Sequence, residues 1–258
     1  MTETFVTAAG AGLAHVRTPG RSPGVVFLGG FMSDMTGTKA TALEAHCRAG
    51  GRAFLRFDYQ GHGASSGAFA DGTIGTWAGD AIDAIDALTE GPQILVGSSM
   101  GGWLMVLAAL ARPERVAGLV GVAAAPDFTD DLMWDEMPEP VRRTLVRDGV
   151  WHEPSQYSET PYPITLRLIE EGRDHVVLRA PIPLACPVRL LHGVEDQDVP
   201  WRQSQRLMEQ IASPDVTLTL IKDGDHRLSR PQDLARLTTA VDEIADQVEA
   251  AIAARPSR

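Results

Sequence analysis

GPQILVGSSMGGWLMVLAAL, residues 91–110, joins an apolar run to a second apolar run through a pair of serines set between glycines. Its centre, Gly97 to Gly101, reads G-x-S-x-G, a nucleophile signature. The pattern alone selects nothing, because GRSPG at 20–24 and GASSG at 63–67 carry it too. Context selects. A nucleophile elbow needs a strand ending just before the serine and a helix starting just after it. Ser22 precedes an apolar run instead of following one, and the next residue, Pro23, has no N–H to offer an oxyanion. Ser65 lies in a turn-rich loop, and SGAFADG after it has no helical pattern. Ser99 has QILV before it and MGGWLMVLAALA after it, apolar nearly all round as a buried central helix is. Ser98 is out of register with the two glycines and reads as a local hydrogen-bonding group.

Working outward, the chain alternates strand and helix. Strand runs are PGVVFLGG (23–30), RAFLRFDY (52–59), PQILVGS (92–98), VAGLVGVAAA (116–125), CPVRLLHG (186–193) and DVTLTLIKDG (215–224). Several are apolar throughout, as strands covered on both faces are. Helical patterns fall at 38–50, 76–90, 99–112, 201–212 and 232–252. In the second, Trp77, Ala81, Ile85 and Leu88 form the buried stripe, and Asp80, Asp83 and Asp86 are expected on a solvated side. Short runs at Phe5–Thr7 and Ala14–Arg17 suit an antiparallel edge hairpin. The expectation is an α/β fold: a mostly parallel, eight-stranded sheet with helices on both faces. The alternation breaks from Asp127 to Ala180, where Pro, charge and aromatics replace it. That is too long for a plain connection. The chain therefore divides into a core, 1–126 and 181–258, and an inserted helical cap (lid), 127–180, over the C-terminal edge of the sheet, where open α/β sheets bind ligands.

Composition excludes several classes. A chain of 258 residues with 23 basic and 34 acidic side chains and no basic patch is not expected to bind nucleic acid. No run approaches the roughly 18 apolar residues of a membrane span. Two cysteines, Cys47 and Cys186, are too few for a disulfide framework and read as small buried residues in a reducing compartment. MTETFVTAAG has neither a signal peptide's pattern nor a transit peptide's, so a cytoplasmic location is expected. No His/Cys/Asp cluster has metal-ligand spacing, and neither metal nor cofactor is expected. A monomer or homodimer is expected.

A serine needs a base, and the base an orienting carboxylate. In folds built around such an elbow the order is Ser, acid, His. His226, in KDGDHRLSRP, follows the last strand and is the candidate base. His192 ends its strand ahead of the candidate acids and reads as structural; His62, in a Gly turn, reads as loop-ordering. His15, His46, His152 and His175 have no companion motif. After PVRLLHG, the turn GVEDQDVPW offers Glu195, Asp196 and Asp198 as acids. Asp223 and Asp225 stand too close to His226 in sequence to orient it. An oxyanion hole needs two backbone N–H donors. Met100 supplies one directly after Ser99; Phe31, after Gly29-Gly30 in LGGFMSDMTG, supplies the other.

With these residues in place, the chain resembles the α/β-hydrolase superfamily over nearly its whole length. FDYQGHGASSG (57–67) matches that superfamily's loop between a strand and the next helix. The resemblance is closer to the mitochondrial abhydrolase-domain palmitoyl-protein thioesterases, also called acyl-glucuronide esterases. SPGVVFLGGFMSDMTGTKA (22–40), LRFDYQGHGASSG (55–67), GPQILVGSSMGGWLMVLAALARPERV (91–116), CPVRLLHGVEDQDVPW (186–201) and DGDHR (223–227) carry it. The resemblance implies Ser99 as nucleophile, Asp196 as acid and His226 as base. It implies a serine esterase or thioesterase working through an acyl-serine on small-molecule or acylated-protein substrates. Acyl transfer or C–C bond hydrolysis on the same triad, and a non-catalytic small-molecule binder of the same fold, are the alternatives. Met133, Trp134, Met137, Trp151 and Tyr162 of the cap are candidates for the wall of an acyl or aromatic pocket, or for packing of cap on core.

Overall fold

The computed structural model describes residues 2–154 and 161–254. The chain opens with β1 (Glu3–Val6) and β2 (Gly12–Thr18). It continues through β3 (Arg21–Leu28), α1 (Thr38–Ala49), β4 (Arg52–Phe57), α2 (Ile74–Leu88), β5 (Gln93–Ser98), α3 (Met100–Ala111) and β6 (Val116–Val122). A π-helical turn (Thr129–Trp134), α4 (Glu139–Asp148), β7 (Val150–Glu153), β8 (Tyr162–Thr165) and α5 (Leu166–Gly172) follow. The chain returns through β9 (Val188–Gly193), α6 (Arg202–Gln210), β10 (Val216–Ile221) and α7 (Pro231–Ala253).

Eight strands form one sheet in the order β1-β2-β4-β3-β5-β6-β9-β10. The β1–β2 edge hairpin and the β2–β4 pair are antiparallel; the pairs from β4 through β3, β5, β6 and β9 to β10 are parallel. The period-2 alternation of the strands explains why both faces need cover. Val26, Leu28 and Leu95 point to one side, where α2 and α3 supply Trp77, Ile85, Trp103 and Leu104. Val25, Phe27, Ile94 and Val96 point to the other, where α1 and α7 supply Leu43, Cys47, Leu237 and Val241. Each fully buried large apolar side chain contributes about 1.5–3 kcal/mol, and α3 buries nearly its whole circumference. That fixes the helix whose first turn follows Ser99.

Three expectations on side chains change. Asp80 is not solvated: it is 2% exposed and accepts from the Gln60 backbone N–H at 2.8 Å and side-chain amide at 2.7 Å. The helical stripe misplaced it because the 59–67 loop folds over that side of α2. Cys186 is half-buried, whereas Cys47 is fully buried. His46 and His175 have partners, Asp242 and Glu171, each at 2.9 Å.

The segment 127–180 contributes none of the eight strands of the large sheet. It was expected to hold short helical pieces; it also holds the antiparallel pair β7–β8. Its ends meet at Asp127, a fully buried residue with φ 58°, whose carboxylate accepts the backbone N–H groups of Val177 at 2.8 Å and Leu178 at 2.9 Å. Asp130 pairs with Arg173, and Asp131 with Arg179 and with Arg206 of α6. Positions 155–160 of the expected cap, and 1 and 255–258 of the expected core, lie outside the described residues.

Candidate active site

β5 ends at Ser98 and α3 begins at Met100, so Ser99 makes the whole turn. It stands at φ 54°, ψ −119°, a region that costs a non-glycine residue about 1–3 kcal/mol. The surroundings hold it there. Its N–H donates to the Val122 carbonyl at 2.9 Å, and its own carbonyl accepts from Ala125 at 3.1 Å. The flanking glycines allow the close approach. A Cβ on Gly97 would run into the Gly101 carbonyl, and one on Gly101 into the Leu28 carbonyl. Ser65 is occupied elsewhere. Its hydroxyl donates to the Asp58 carbonyl at 2.6 Å and accepts from the Ala14 N–H at 2.8 Å, bracing its loop.

The loops after β9 and β10 reach the same sheet edge. His226 Nε2 lies 3.1 Å from Ser99 Oγ, and His226 Nδ1 lies 2.8 Å from Asp196 Oδ2. The Asp196 side chain has no exposure; that of His226 is 18% exposed. Asp196 Oδ1 accepts the backbone N–H groups of Asp198 at 2.9 Å and Val199 at 2.8 Å. Burial alone would raise the Asp196 carboxyl. Hydrogen bonds from His192 and His226 outweigh it and hold the group well below the usual carboxylate range, so it is a carboxylate at neutral pH. Glu195 is exposed, and Asp198 lies at the cavity wall. Oxygens of Asp196 and Asp198 and a nitrogen of His226 all lie within 4.8 Å of one another, so proximity alone does not separate the two aspartates. Asp223 pairs with Arg230, and Asp225 accepts the Leu228 N–H at 2.9 Å, which fixes the turn that presents His226.

Gly30 brings the loop after β3 against Ser99: a Cβ there would stand 3.4 Å from the Ser99 Cβ. Among the described residues, neither the Phe31 nor the Met100 backbone N–H has a hydrogen-bond partner. The Phe31 ring is held edge-on by Phe69, Trp77, Phe128 and Tyr162, with centroids 4.8 to 6.3 Å away. This aromatic cage was not legible in the sequence.

A cavity of about 1140 Å³ opens over Ser99 and His226. Met133, Met137, Trp151 and Tyr162 line it. Trp134 does not: its ring is clamped between the guanidinium groups of Arg142 and Arg173, at 5.3 and 5.1 Å, and it packs on the small cluster around Leu145. Two cations that sequence reasoning missed line the cavity, Lys39 and Arg227. Burial, with Arg227 nearby, lowers the Lys39 ammonium to about 8, against the pull of Asp225. Lys39 Nζ donates to the Arg227 carbonyl at 2.5 Å. His192, read as structural, touches Asp196 directly, with Nε2 at 3.1 Å from its Oδ2. His62 is the loop residue it was expected to be: it is buried, with Nδ1 3.2 Å from the Gln60 carbonyl oxygen, and burial lowers it to about 4.

A sequence model described as "Alpha/beta hydrolase family" matches residues 25–237. The mitochondrial palmitoyl-protein thioesterase ABHD10 of Bos taurus is 45% identical over 237 residues, which cover 92% of this chain and 77% of that one. The structure of alpha/beta hydrolase domain-containing protein 10 from mouse superposes with a TM-score of 0.89 at 41% identity, over 96% of this chain and 99% of that one. A putative hydrolase from Agrobacterium vitis S4 superposes with a TM-score of 0.91 at 39% identity, over 95% and 98%. The mitochondrial naming of the curated relatives overturns the cytoplasmic expectation, which rested only on failing to find a targeting pattern. Among the described residues, no helix is long and apolar enough to cross a membrane. With the family pattern matched from 25 to 237 and 45% identity across 92% of its length, the chain belongs to the alpha/beta hydrolase family.

Proposed function

We propose that this protein is a serine hydrolase of carboxylic thioesters and esters, with Ser99 as nucleophile, His226 as base and Asp196 as the acid that orients it. The observation that carries this reading is the continuous contact from Ser99 Oγ to His226 Nε2 at 3.1 Å and from His226 Nδ1 to Asp196 Oδ2 at 2.8 Å. Ser99 Oγ attacks the acyl carbon while His226 Nε2 takes its proton. Asp196 keeps the Nδ1–H tautomer facing itself and stabilises the imidazolium that forms. The Phe31 and Met100 amides receive the oxyanion; losing one such donor costs about 10²–10³ in rate. The carbonyl reforms as the thiolate or alkoxide leaves, protonated by His226. Water then attacks the acyl-serine while His226 takes its proton, and His226 returns that proton to Ser99 Oγ as the C–Oγ bond breaks and the carboxylic acid is released.

The segment 127–180 acts as a cap whose inner wall takes the acyl group. Met133, Met137 and Trp151 support this reading, with a cavity volume slightly above the usual range of small-molecule sites. The relatives named palmitoyl-protein thioesterases favour an S-acylated protein as substrate. The test is a chain-length series of acyl-thioesters and p-nitrophenyl esters, run beside Ser99→Ala. The expected result is turnover of both bond types, rising from short chains to longer ones and abolished in Ser99→Ala. Equal rates across chain lengths would count against an acyl-binding cap.

A further inference from the structure

Beside the Ser99–His226–Asp196 contacts lies a histidine that the mechanism above does not use. His192 is the penultimate residue of β9, and its side chain is fully buried. Its Nε2 stands 3.1 Å from Asp196 Oδ2 and 2.9 Å from the Val199 carbonyl oxygen. Its Nδ1 stands 2.7 Å from Ser204 Oγ, on the first turn of α6. Both groups facing Nε2 are pure acceptors, an ionised carboxylate and a carbonyl. A bare ring nitrogen in that place would press its lone pair against theirs in a buried site and leave the nitrogen itself without a donor. Nε2 therefore carries the proton and donates to both. A serine hydroxyl both donates and accepts, so Ser204 can donate to Nδ1 and lock that tautomer.

The contact falls on the oxygen that matters. Asp196 Oδ1 is pinned by two backbone N–H groups. Oδ2 receives His226 Nδ1 at 2.8 Å and His192 Nε2 at 3.1 Å. Of these two donors, His226 changes its protonation state in each half-reaction. His192 sits on the sheet and bonds to α6, away from the substrate cavity. Among the described residues, it is the donor that can hold Oδ2 still while His226 works.

We propose that His192 is a positioning residue of the reaction, holding Asp196 Oδ2 where it meets His226, with Ser204 holding His192 in the donating tautomer. The proposal rests on the triad reading above. Because His192 touches no substrate, its loss acts on the step in which the imidazolium forms and leaves binding alone. kcat falls while KM holds.

Four variants and one spectrum test it. His192→Leu removes the donor, and a small misplacement of a catalytic group costs up to about 10² in rate. The expected outcome is a kcat lowered about 10- to 100-fold with KM within about two-fold of wild type. His192→Gln places an amide N–H where Nε2 was and is expected to recover most of the loss; Ser204→Ala, which leaves the ring in place, is expected to lose a few-fold. Equal losses in His192→Leu and His192→Gln, or none in His192→Leu, would overturn the proposal and make the residue a packing group. Should His192→Leu fail to fold, the wild-type protein decides through long-range proton–nitrogen NMR of labelled histidines. His192 protonated at Nε2 and bare at Nδ1 supports the proposal; the opposite tautomer ends it. Ser99→Ala separates the two levels: if that variant still turns over, the triad reading falls and takes this proposal with it, whereas a His192 failure alone leaves the triad standing.

Discussion

At Ser99 the chain accepts about 1–3 kcal/mol of backbone strain to aim one hydroxyl at a histidine 3.1 Å away. The glycines at 97 and 101 were legible in the sequence because close backbone approach admits few other residues. The acid was harder. Glu195, Asp196 and Asp198 share one turn, and only the fold shows that Asp196 is buried with four donors on its two oxygens, while Asp198 lies at the cavity wall. Asp196→Asn keeps the shape of the side chain but favours the wrong tautomer of His226. It is expected to lower kcat by up to about 10⁴, with Asp198→Asn costing far less. Steady-state kinetics on a p-nitrophenyl ester separate the two, and the reverse order would move the acid to Asp198. His192 could not have been read as a partner of Asp196. Four positions separate them, and only the end of β9 and the turn after it bring Nε2 onto the carboxylate.

At the scale of the element, α2 makes a measurable statement about pH. Burial pushes the Asp80 carboxyl up to about 6, against hydrogen bonds from Gln60 that pull it down. In the unfolded chain the group titrates near about 3.9. The folded form thus binds the extra proton. Stability from this group is complete below about pH 4 and is lost as pH rises through about 6. A difference of about two pKa units corresponds to about 3 kcal/mol. Asp80→Asn cannot titrate, so its Tm is expected to fall less than wild type's between about pH 4 and pH 7. Parallel Tm–pH curves would place the titrating group elsewhere. The same helix shows what periodicity reads well and badly. Trp77, Ala81 and Ile85 form the buried stripe as expected. Asp80 joined them because the loop around Gln60, ahead of α2, covers it, which helical spacing does not encode. The β7–β8 pair was missed for a related reason. Each strand has only four residues, and among the described residues they pair with each other in a two-stranded sheet apart from the large one.

At the scale of the molecule, the alternation of apolar runs and helical stripes gave the sheet, its parallel centre and its antiparallel edge, since each continuous run demands cover on both faces. The segment 127–180 yielded less. Its composition marked it as different, but the contacts that seat it are the Asp131–Arg206 pair with α6 and the Asp127 carboxylate that joins its two ends. Trp134 belongs to that pattern: its arginine clamp draws on residues from two separate elements, Arg142 and Arg173. Location was misread because it was argued from a missing signal. What joins the three scales is the nucleophile proposed at Ser99, in the turn after β5, and a fluorophosphonate probe reads it directly. Wild type and Ser65→Ala are expected to be labelled equally and Ser99→Ala not at all. Labelling that persists in Ser99→Ala, or is lost in Ser65→Ala, would contradict the assignment of Ser99 as the nucleophile.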